Sequence, residues 1–558
     1  MRLSGAEIII KLLERQGIDT IAGIPGGANL PMYDALGKSE SIRHILTRHE
    51  QGAGFIAQGM ARVSGKPAVF FATSGPGATN TLTAIADAKL DSIPIICITG
   101  QVPLSMIGTD AFQEVDTYGL SVPITKHNFL VRSVEDLLWI IPAAFRIAAS
   151  GRPGPVVIDV PKDVQAAFHE FETWPEPGER EPSEGLIPAE IRRAASMINS
   201  AKKPVLYLGG GVIQSDSADE ALALAEKASI PSVVTLMGLG VIPTDNPLCL
   251  GMLGMHAARY TNMVLEECDL LVAVGVRFDD RATGKVPEFC PNAKVIHMDI
   301  DPSELDKIKR STASVTGDVA EILTALIPLI DENARASWIS RVQTLKKEHP
   351  MLIADADDPT SAYGVVLKAA ELAGEQAIVC TDVGQHQMRT AQVYPFKHPR
   401  QWLTSGGLGT MGFGMPASIG AALAAPDRPV ICFSGDGSIM MNIQDLATAM
   451  EYDIPIKIIL TNNNALGLVR QQQDLFYGKR YFASDYSRSV DFIKIAEGFG
   501  IKAHDLGTSE DPAETLKIAL SEPGPSLIHV PLSPDDPVYP MVPPGAANSE
   551  MIGGEKHV

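Results

Sequence analysis

Residues 431–464 read ICFSGDGSIMMNIQDLATAMEYDIPIKIILTNNN. A short apolar strand runs into Gly435-Asp436-Gly437, and a second strand ends on Asn462-Asn463, so Asp436 and Asn463 stand 27 positions apart, each just past a strand end. In an α/β sheet ligands collect outside the carboxyl ends of the strands, so a carboxylate and an amide oxygen can meet there around one metal ion. A hard cation such as Mg²⁺ takes oxygen ligands of this kind and fills the rest of its octahedron with substrate or cofactor phosphates. The flanking glycines let the backbone approach a phosphate closely. Gly and Asp also dominate tight turns, so the tripeptide alone leaves a plain turn open. The paired asparagines at this spacing are what favour a metal site.

The same grammar occurs twice. Segment 68–100, AVFFATSGPGATNTLTAIADAKLDSIPIICITG, parallels segment 429–462: strand, SGxG turn, helix, a proline after Ile, strand. The interval from Gly75 to Pro94 is 19 and from Gly435 to Pro455 is 20. Such a match predicts a duplicated α/β unit, with convergent strand–helix–strand grammar as the other explanation. Pro76 stands in place of Asp436, so only the later copy keeps a metal ligand. Two stretches break the pattern: residues 165–188, rich in Pro and Glu, and residues 346–364, polar and without periodicity. Read as linkers, they divide the chain into domains at 1–165, 189–335 and 361–535, with a tail at 536–558. The middle piece carries strands such as PVLYLGGGVI and DLLVAVGVRF, apolar on consecutive positions and therefore buried on both faces. The expected architecture is α/β: three doubly wound parallel-sheet domains, the first and third related by duplication.

At 558 residues, 45% hydrophobic and 20% charged, the chain reads as globular and multidomain. A formal net charge of −20 with no basic stretch argues against a nucleic-acid or anionic-membrane partner. Anionic ligands therefore need local Arg and Lys. The six cysteines are scattered, form no CxxC pair and lie mostly in apolar strands, which points to buried thiols in a reducing cytoplasm. The opening MRLSGAEIIIKLLERQG pairs Ser4 with Glu7 as a capping box ahead of helical spacing, so a folded helix and no leader is expected. No apolar run approaches the ~18 residues of a membrane span.

Arg48-His49-Glu50 begins a Gly/Ala-rich helix after a strand, where Glu50 is either a favourable helix N-terminal charge or a functional carboxylate. Family resemblance bears on that choice. GDG followed by NN resembles the diphosphate-binding motif of thiamine diphosphate (ThDP) enzymes, which implies the ThDP-binding fold. RHEQGAG matches the segment whose Glu bonds N1′ of the cofactor's aminopyrimidine and relays a proton there. More narrowly, GIPGGANLPMYDAL, HEQGAGFIAQGMAR, TSGPGATN, DAFQEVD, GRPGPVVIDVPKDV, LGMLGMHA, GVRFDDRATG, WLTSGGLGTMGFGMPASIGAAL and YPMVPPGAAN resemble the catalytic subunits of the bacterial acetohydroxyacid (acetolactate) synthase family, almost end to end.

The resemblance implies three cofactors: ThDP, Mg²⁺ and FAD. Gln385, His386, Gly435, Gly437, Ser438 and Leu468 fall where the family holds ThDP, and Gly409 and Met411 where it seats the aminopyrimidine. Asp436, Asn463 and the carbonyl of Ala465 would hold Mg²⁺. For Met411 the residue-level alternative is a gap-filling core methionine. Gly26-Gly27 and Gln113 fall at the reacting end of the pocket and Lys162 near its entrance. A turn or a solvated side chain is the other reading of each. FAD contacts correspond to Arg152, Gly209, Gly210, Gly211, Thr235, Leu236, Met255, His256, Gly275, Arg277 and Asp299. GGG alone is a weak nucleotide signal. Two cations near a pyrophosphate make electrostatic sense. The flavin would be mainly structural, because the reaction has no net redox change.

Arg281 matches the residue that grips the carboxylate of the second 2-ketoacid. Its alternative is a surface pair with Asp279 or Asp280. Many members carry Trp where this chain has Gln472; Trp favours 2-ketobutyrate by packing its extra methyl. Without that apolar wall, little discrimination between pyruvate and 2-ketobutyrate is expected. The family's activity joins a fragment of decarboxylated pyruvate to a second 2-ketoacid, giving 2-acetolactate or 2-aceto-2-hydroxybutyrate on the route to branched-chain amino acids. It implies a homodimer or homotetramer with Glu50 and Asp436 acting on one cofactor from different subunits, a small regulatory subunit as a possible partner, and a lid at YPMVPPGAAN. Competing readings are a pyruvate oxidase that uses the flavin as electron acceptor and a non-catalytic cofactor-binding regulatory protein. Glyoxylate carboligase lacks the Glu found here as Glu50.

Overall fold

A computed structural model describes residues 1–183 and 185–554; Glu184 of the first linker and residues 555–558 of the tail lie outside the described residues. Three six-stranded sheets, every pairing in them parallel, carry helices on their faces. In the first, the strands Thr20–Gly23, Arg43–Leu46, Ala68–Ala72, Ile95–Gln101, His127–Leu130 and Val156–Pro161 lie in the spatial order 2-1-3-4-6-5. In the third, Ile378–Thr381, Trp402–Leu403, Val430–Gly435, Ile456–Asn462, Lys502–Asp505 and Ser526–Pro531 repeat that order. Identical topology in both is what a duplicated unit leaves behind. The middle sheet, from Pro204–Leu208 to Ala313–Thr316, has the order 3-2-1-4-5-6 of doubly wound dinucleotide-binding sheets.

Alternation along the strands explains how the domains stack. Within Val430–Gly435, Ile431 and Phe433 share one apolar core with Leu206 and Val272 of the middle sheet. Cys432, on the opposite face, shares another with Phe70 and Cys97 of the first sheet. The third domain is thus in contact with both others. Its tightest union with the first is a helix pair, Glu50–Ser64 against Gly414–Ala424. Small residues make this approach possible: a Cβ on Gly59 or Gly420 would run into the backbone of Ala417 or Ile56. Phe55 and Phe413 meet edge to face there at 5.3 Å.

The Ser4–Glu7 capping box forms as its spacing predicts. All six cysteines are buried and free. Both segments expected to be linkers carry structure at their edges. Phe168–Glu170 pairs antiparallel with Arg2–Ser4, and Phe171 and Trp174 pack on the first core. The helix Ala336–Glu348 lies against the middle sheet, with Trp338 fully buried and its indole N–H donating to the Pro204 carbonyl at 3.0 Å. In the first segment a Pro/Glu-rich composition conceals two aromatic anchors, and the second begins inside a helix that Trp338, just before it, anchors. Among the described residues no helix is long and apolar enough to cross a membrane.

Candidate active site

Asp436 opens the short helix Asp436–Ile439 directly after its strand, and Asn463 follows the neighbouring strand, so both lie at the carboxyl edge of the third sheet. Asp436 is buried; its Oδ1 accepts from the Gly437 N–H at 3.0 Å, while Oδ2 is buried with no hydrogen-bond partner. Burial pushes its carboxyl up to about 6, and surrounding backbone N–H groups offset part of that. An orphaned carboxylate oxygen is what a cation at this point would satisfy, and the residues present fit Mg²⁺. Asn463 Oδ1 accepts from Ala465 N–H at 3.1 Å, which brings the three expected ligands into one turn and its neighbour. Among the described residues there is no cluster of three His, Cys, Asp or Glu that could hold a metal ion.

Around this edge Gln385 Oε1 accepts from Asn463 Nδ2 at 3.2 Å, and Ser438 Oγ donates to the Val383 carbonyl at 2.9 Å. The His386 ring fills the space a Cβ on Gly435 would need. Burial drives His386 down to about 3, so it is neutral, and its Nε2 is buried without a partner. Glycine-lined space beside the orphaned carboxylate oxygen suits a diphosphate held through a cation. Met411 is half-buried and lies opposite Gly437, with its Cε 3.5 Å from where a Cβ on Gly437 would stand, beside Leu466 and Tyr486. Gly409, at φ +72, has open space over its Cα.

Glu50 is the first residue of its helix, after His49 as N-cap. Its Oε2 accepts from Asn80 Nδ2 at 3.0 Å, and Asp445 of the third domain accepts the Arg48 N–H at 2.9 Å, anchoring the start of the helix. Gly27 is exposed with open space around it, and Gln113, at φ 61, packs against Gly75. Lys162 is exposed at the end of the strand Val156–Pro161. These first-domain residues gather at the carboxyl ends of their own sheet.

A cavity of ≈ 690 Å³ opens between the three domains. It is lined by ten of the eleven residues expected at FAD: Arg152, Gly210, Gly211, Thr235, Leu236, Met255, His256, Gly275, Arg277 and Asp299. Gly209 does not line it; it sits beneath, where a Cβ would strike the Gly275 carbonyl. Gly211 and Gly275 meet backbone to backbone, which explains why this turn has no side chains. Thr235 Oγ1 is buried without a partner. Arg152 bonds Ser92 at 2.9 Å and pairs with Glu304 at 2.7 Å and Asp301 at 3.2 Å, so one of the two cations meant for a pyrophosphate is held by carboxylates. Burial pushes Asp299 up to about 6 and His256 down to about 4. The open volume, the orphaned Thr235 hydroxyl and the bare glycine turn fit a dinucleotide.

The same cavity includes Gly409 and Leu468 from the ThDP set and both substrate candidates, Arg281 and Gln472. Arg281 is largely exposed; its 3.9 Å approach to Asp280, also exposed, contributes little and leaves the guanidinium available. Gln472 is exposed on the helix Gly467–Phe476. Glu50 is not among the residues lining this cavity. The tail crosses nearby: the Val542 N–H donates to the Met255 carbonyl at 2.8 Å, and Asn548 Nδ2 to Ala282 at 3.0 Å, beside Arg281.

Several residues escaped sequence reading. Asp382, fully buried, accepts from Ser434 Oγ at 2.5 Å and Gly414 N–H at 2.9 Å, tying together the turns that carry His386, Met411 and Asp436. Asp91 accepts the N–H groups of Gly406 and Gly407 at 3.0 and 2.7 Å and pairs with Arg62 at 2.8 Å. Asp445 does the same for Arg48. Buried acids on apolar elements are the signal that could have found them, since such groups must be partnered.

Family comparison accords with this geometry. Residues 3–120 match the thiamine pyrophosphate enzyme N-terminal TPP binding domain, 191–326 the central domain and 382–530 the C-terminal TPP binding domain. The chain is 60% identical over 552 residues to the acetolactate synthase isozyme 1 large subunit of Escherichia coli (strain K12), covering 99% of this chain and 98% of that protein. It is 45% identical over 550 residues to the isozyme 2 large subunit of the same organism, covering 99% of both. With the acetolactate synthase large subunit of Parasynechococcus marenigrum it shares 46% over 567 residues, covering 100% and 92%. The chain belongs to the acetolactate synthase large subunits of the thiamine pyrophosphate enzyme family.

Proposed function

We propose that this catalytic subunit converts pyruvate and a second 2-ketoacid into 2-acetolactate or 2-aceto-2-hydroxybutyrate, with ThDP, Mg²⁺ and a structural FAD. The observation that carries this reading is the single cavity that joins Arg281 and Gln472 to Gly409, Leu468 and the flavin residues. Bound there, ThDP supplies the carbanion chemistry that releases CO₂ from pyruvate and joins what remains to the acceptor ketoacid. Asp436, Asn463 and the Ala465 carbonyl would hold Mg²⁺ against its diphosphate, with Gln385, Ser438 and neutral His386 lining the phosphate seat. Glu50, fixed by Asn80 and the helix start, holds and returns a proton at the aminopyrimidine. Arg281 offers a planar fork to the acceptor's carboxylate, and Gln472 faces its alkyl end. Gly27 and Gln113 would close the reacting end and Lys162 would stand at the entrance. The tail segment over Met255 and Ala282 limits water entry.

The reading includes a site completed by a second copy of the chain. Exposed apolar side chains beside the site loops, Phe112, Leu408, Met440 and Met441, supply a face for it. A homodimer or homotetramer, and a small regulatory subunit as further partner, complete the reading; domain limits at 1–165, 189–335 and 361–535 are part of it, with the helix Ala336–Glu348 packed on the middle sheet beyond the second limit. Product analysis with pyruvate alone and with added 2-ketobutyrate, each with and without ThDP and Mg²⁺, tests it. Acetohydroxyacids that require both cofactors are expected. Acetate formation with bleaching of the flavin would overturn it in favour of an oxidase.

A further inference from the structure

The turn Asn462–Ala465 carries two of the three residues assigned to Mg²⁺, and it holds Asn464 in the left-handed region at φ 52. Asn adopts that conformation more readily than other residues with a Cβ, and a hydrogen bond within the turn fixes it here. Support comes from Asn462, whose Oδ1 accepts the Asn464 N–H at 3.1 Å while its own carbonyl accepts the Leu532 N–H at 2.8 Å. With the amide oxygen turned into the turn, Nδ2 faces outward to His529 Nε2 at 3.1 Å. An amide nitrogen only donates, so Nε2 is the acceptor and the imidazole proton resides on Nδ1. There it lies 3.0 Å from Asp505 Oδ1, which accepts it. The backbone register supports the contact, since Asp505 and His529 are Cα partners on adjacent parallel strands. One backbone N–H thus fixes the polarity of every bond in the line.

We infer that Asp505, His529 and Asn462 form a positioning relay that sets the Asn463–Ala465 turn in the geometry its metal requires. The inference rests on Asn463 and Ala465 being metal ligands, as proposed above. None of the three touches the cofactor; they act through the turn. The inner end is buried, with Asn462 4% exposed, whereas the His529 and Asp505 side chains are 16% and 28% exposed. Substitutions at the outer end therefore reach the turn without opening the core. Groups that orient metal ligands from behind typically govern metal affinity by ~10–100-fold.

Titration calorimetry of Mg²⁺ into the intact oligomer with excess ThDP tests this. His529→Phe, which keeps a ring and removes the acceptor, is expected to weaken Mg²⁺ binding by about tenfold or more. His529→Gln, whose Oε1 can accept from Asn462, is expected to recover most of that loss, and a purely structural role would not give this rescue. Asp505→Leu and Asp505→Asn form a second pair, weakened and near-parental respectively, should His529→Phe fold poorly. Thermal midpoints separate folding from affinity. Parental Mg²⁺ binding within twofold in both His529→Phe and Asp505→Leu overturns the relay alone. Mg²⁺-independent ThDP binding by the parent overturns the metal assignment of Asn463, and the relay with it.

Discussion

Glu50 and Gln472 are the two residues whose chemistry is most exposed to test. A carboxylate one hydrogen bond from Asn80, at the first turn of a helix, can hand a proton on only if it ionises. Glu50→Gln preserves shape and removes that capacity, so kcat is expected to fall by ~10²–10⁴-fold while ThDP still binds, as calorimetry would report. A variant as active as the parent would sink the relay role. In the proposed reading Gln472 presents an amide where an apolar wall would reward an extra methyl. With pyruvate and 2-ketobutyrate at equal concentration, the two products are expected in comparable amounts. Gln472→Trp should raise the ratio of acetohydroxybutyrate to acetolactate by about tenfold or more, the worth of one methylene in an apolar pocket. A strong excess of that product from the parent would contradict the idea. Both roles came from family resemblance, because the residues alone left Glu50 open as a helix N-terminal charge and gave Gln472 no mark of its own.

At the scale of elements, uninterrupted apolar runs and glycine-marked turns made the strands readable, and the SGPG and SGDG turns exposed the repeat. Residues acting across elements were not readable, because nothing local marks Asp382, Asp91 or Asp445 as partners of turns far along the chain. The same blindness applied to Asp159 in the strand Val156–Pro161. Thr99 Oγ1 and Gln101 Nε2 donate to it at 2.7 and 2.9 Å, yet burial outweighs them and pushes its carboxyl up to about 7. A folded-state value above the ordinary 3.8 means that the native protein keeps a proton the unfolded chain has lost. Its stabilising share is therefore complete below about pH 3.8, declines as pH rises and is gone above about 7. Asp159→Asn, which mimics the protonated group, should gain on the parent in thermal midpoint between pH 5 and 7 and run parallel above that. A constant offset across the range would assign Asp159 a charge in the fold.

For the whole molecule, composition and segment grammar anticipated three doubly wound domains, whereas the cavity between them was foreshadowed only by family resemblance, through Arg152 and the middle-domain set that line it. A cavity made by docking has no local signature. The same limit hides the second copy, and here an experiment can decide. If Glu50 and Asp436 serve one cofactor from different subunits, a Glu50→Gln chain paired with an Asp436→Asn chain places both lesions in one site and leaves the other intact. In a two-fold dimer mixed at random, half the dimers are heterodimers, so about a quarter of all sites should work. If the two residues serve one cofactor within a single chain, every site carries one lesion and mixing restores nothing. Refolding or co-expressing the two inactive variants in equal amounts and assaying acetolactate distinguishes the cases. Recovery near a quarter of parental activity is expected, and none would place the complete site inside one subunit.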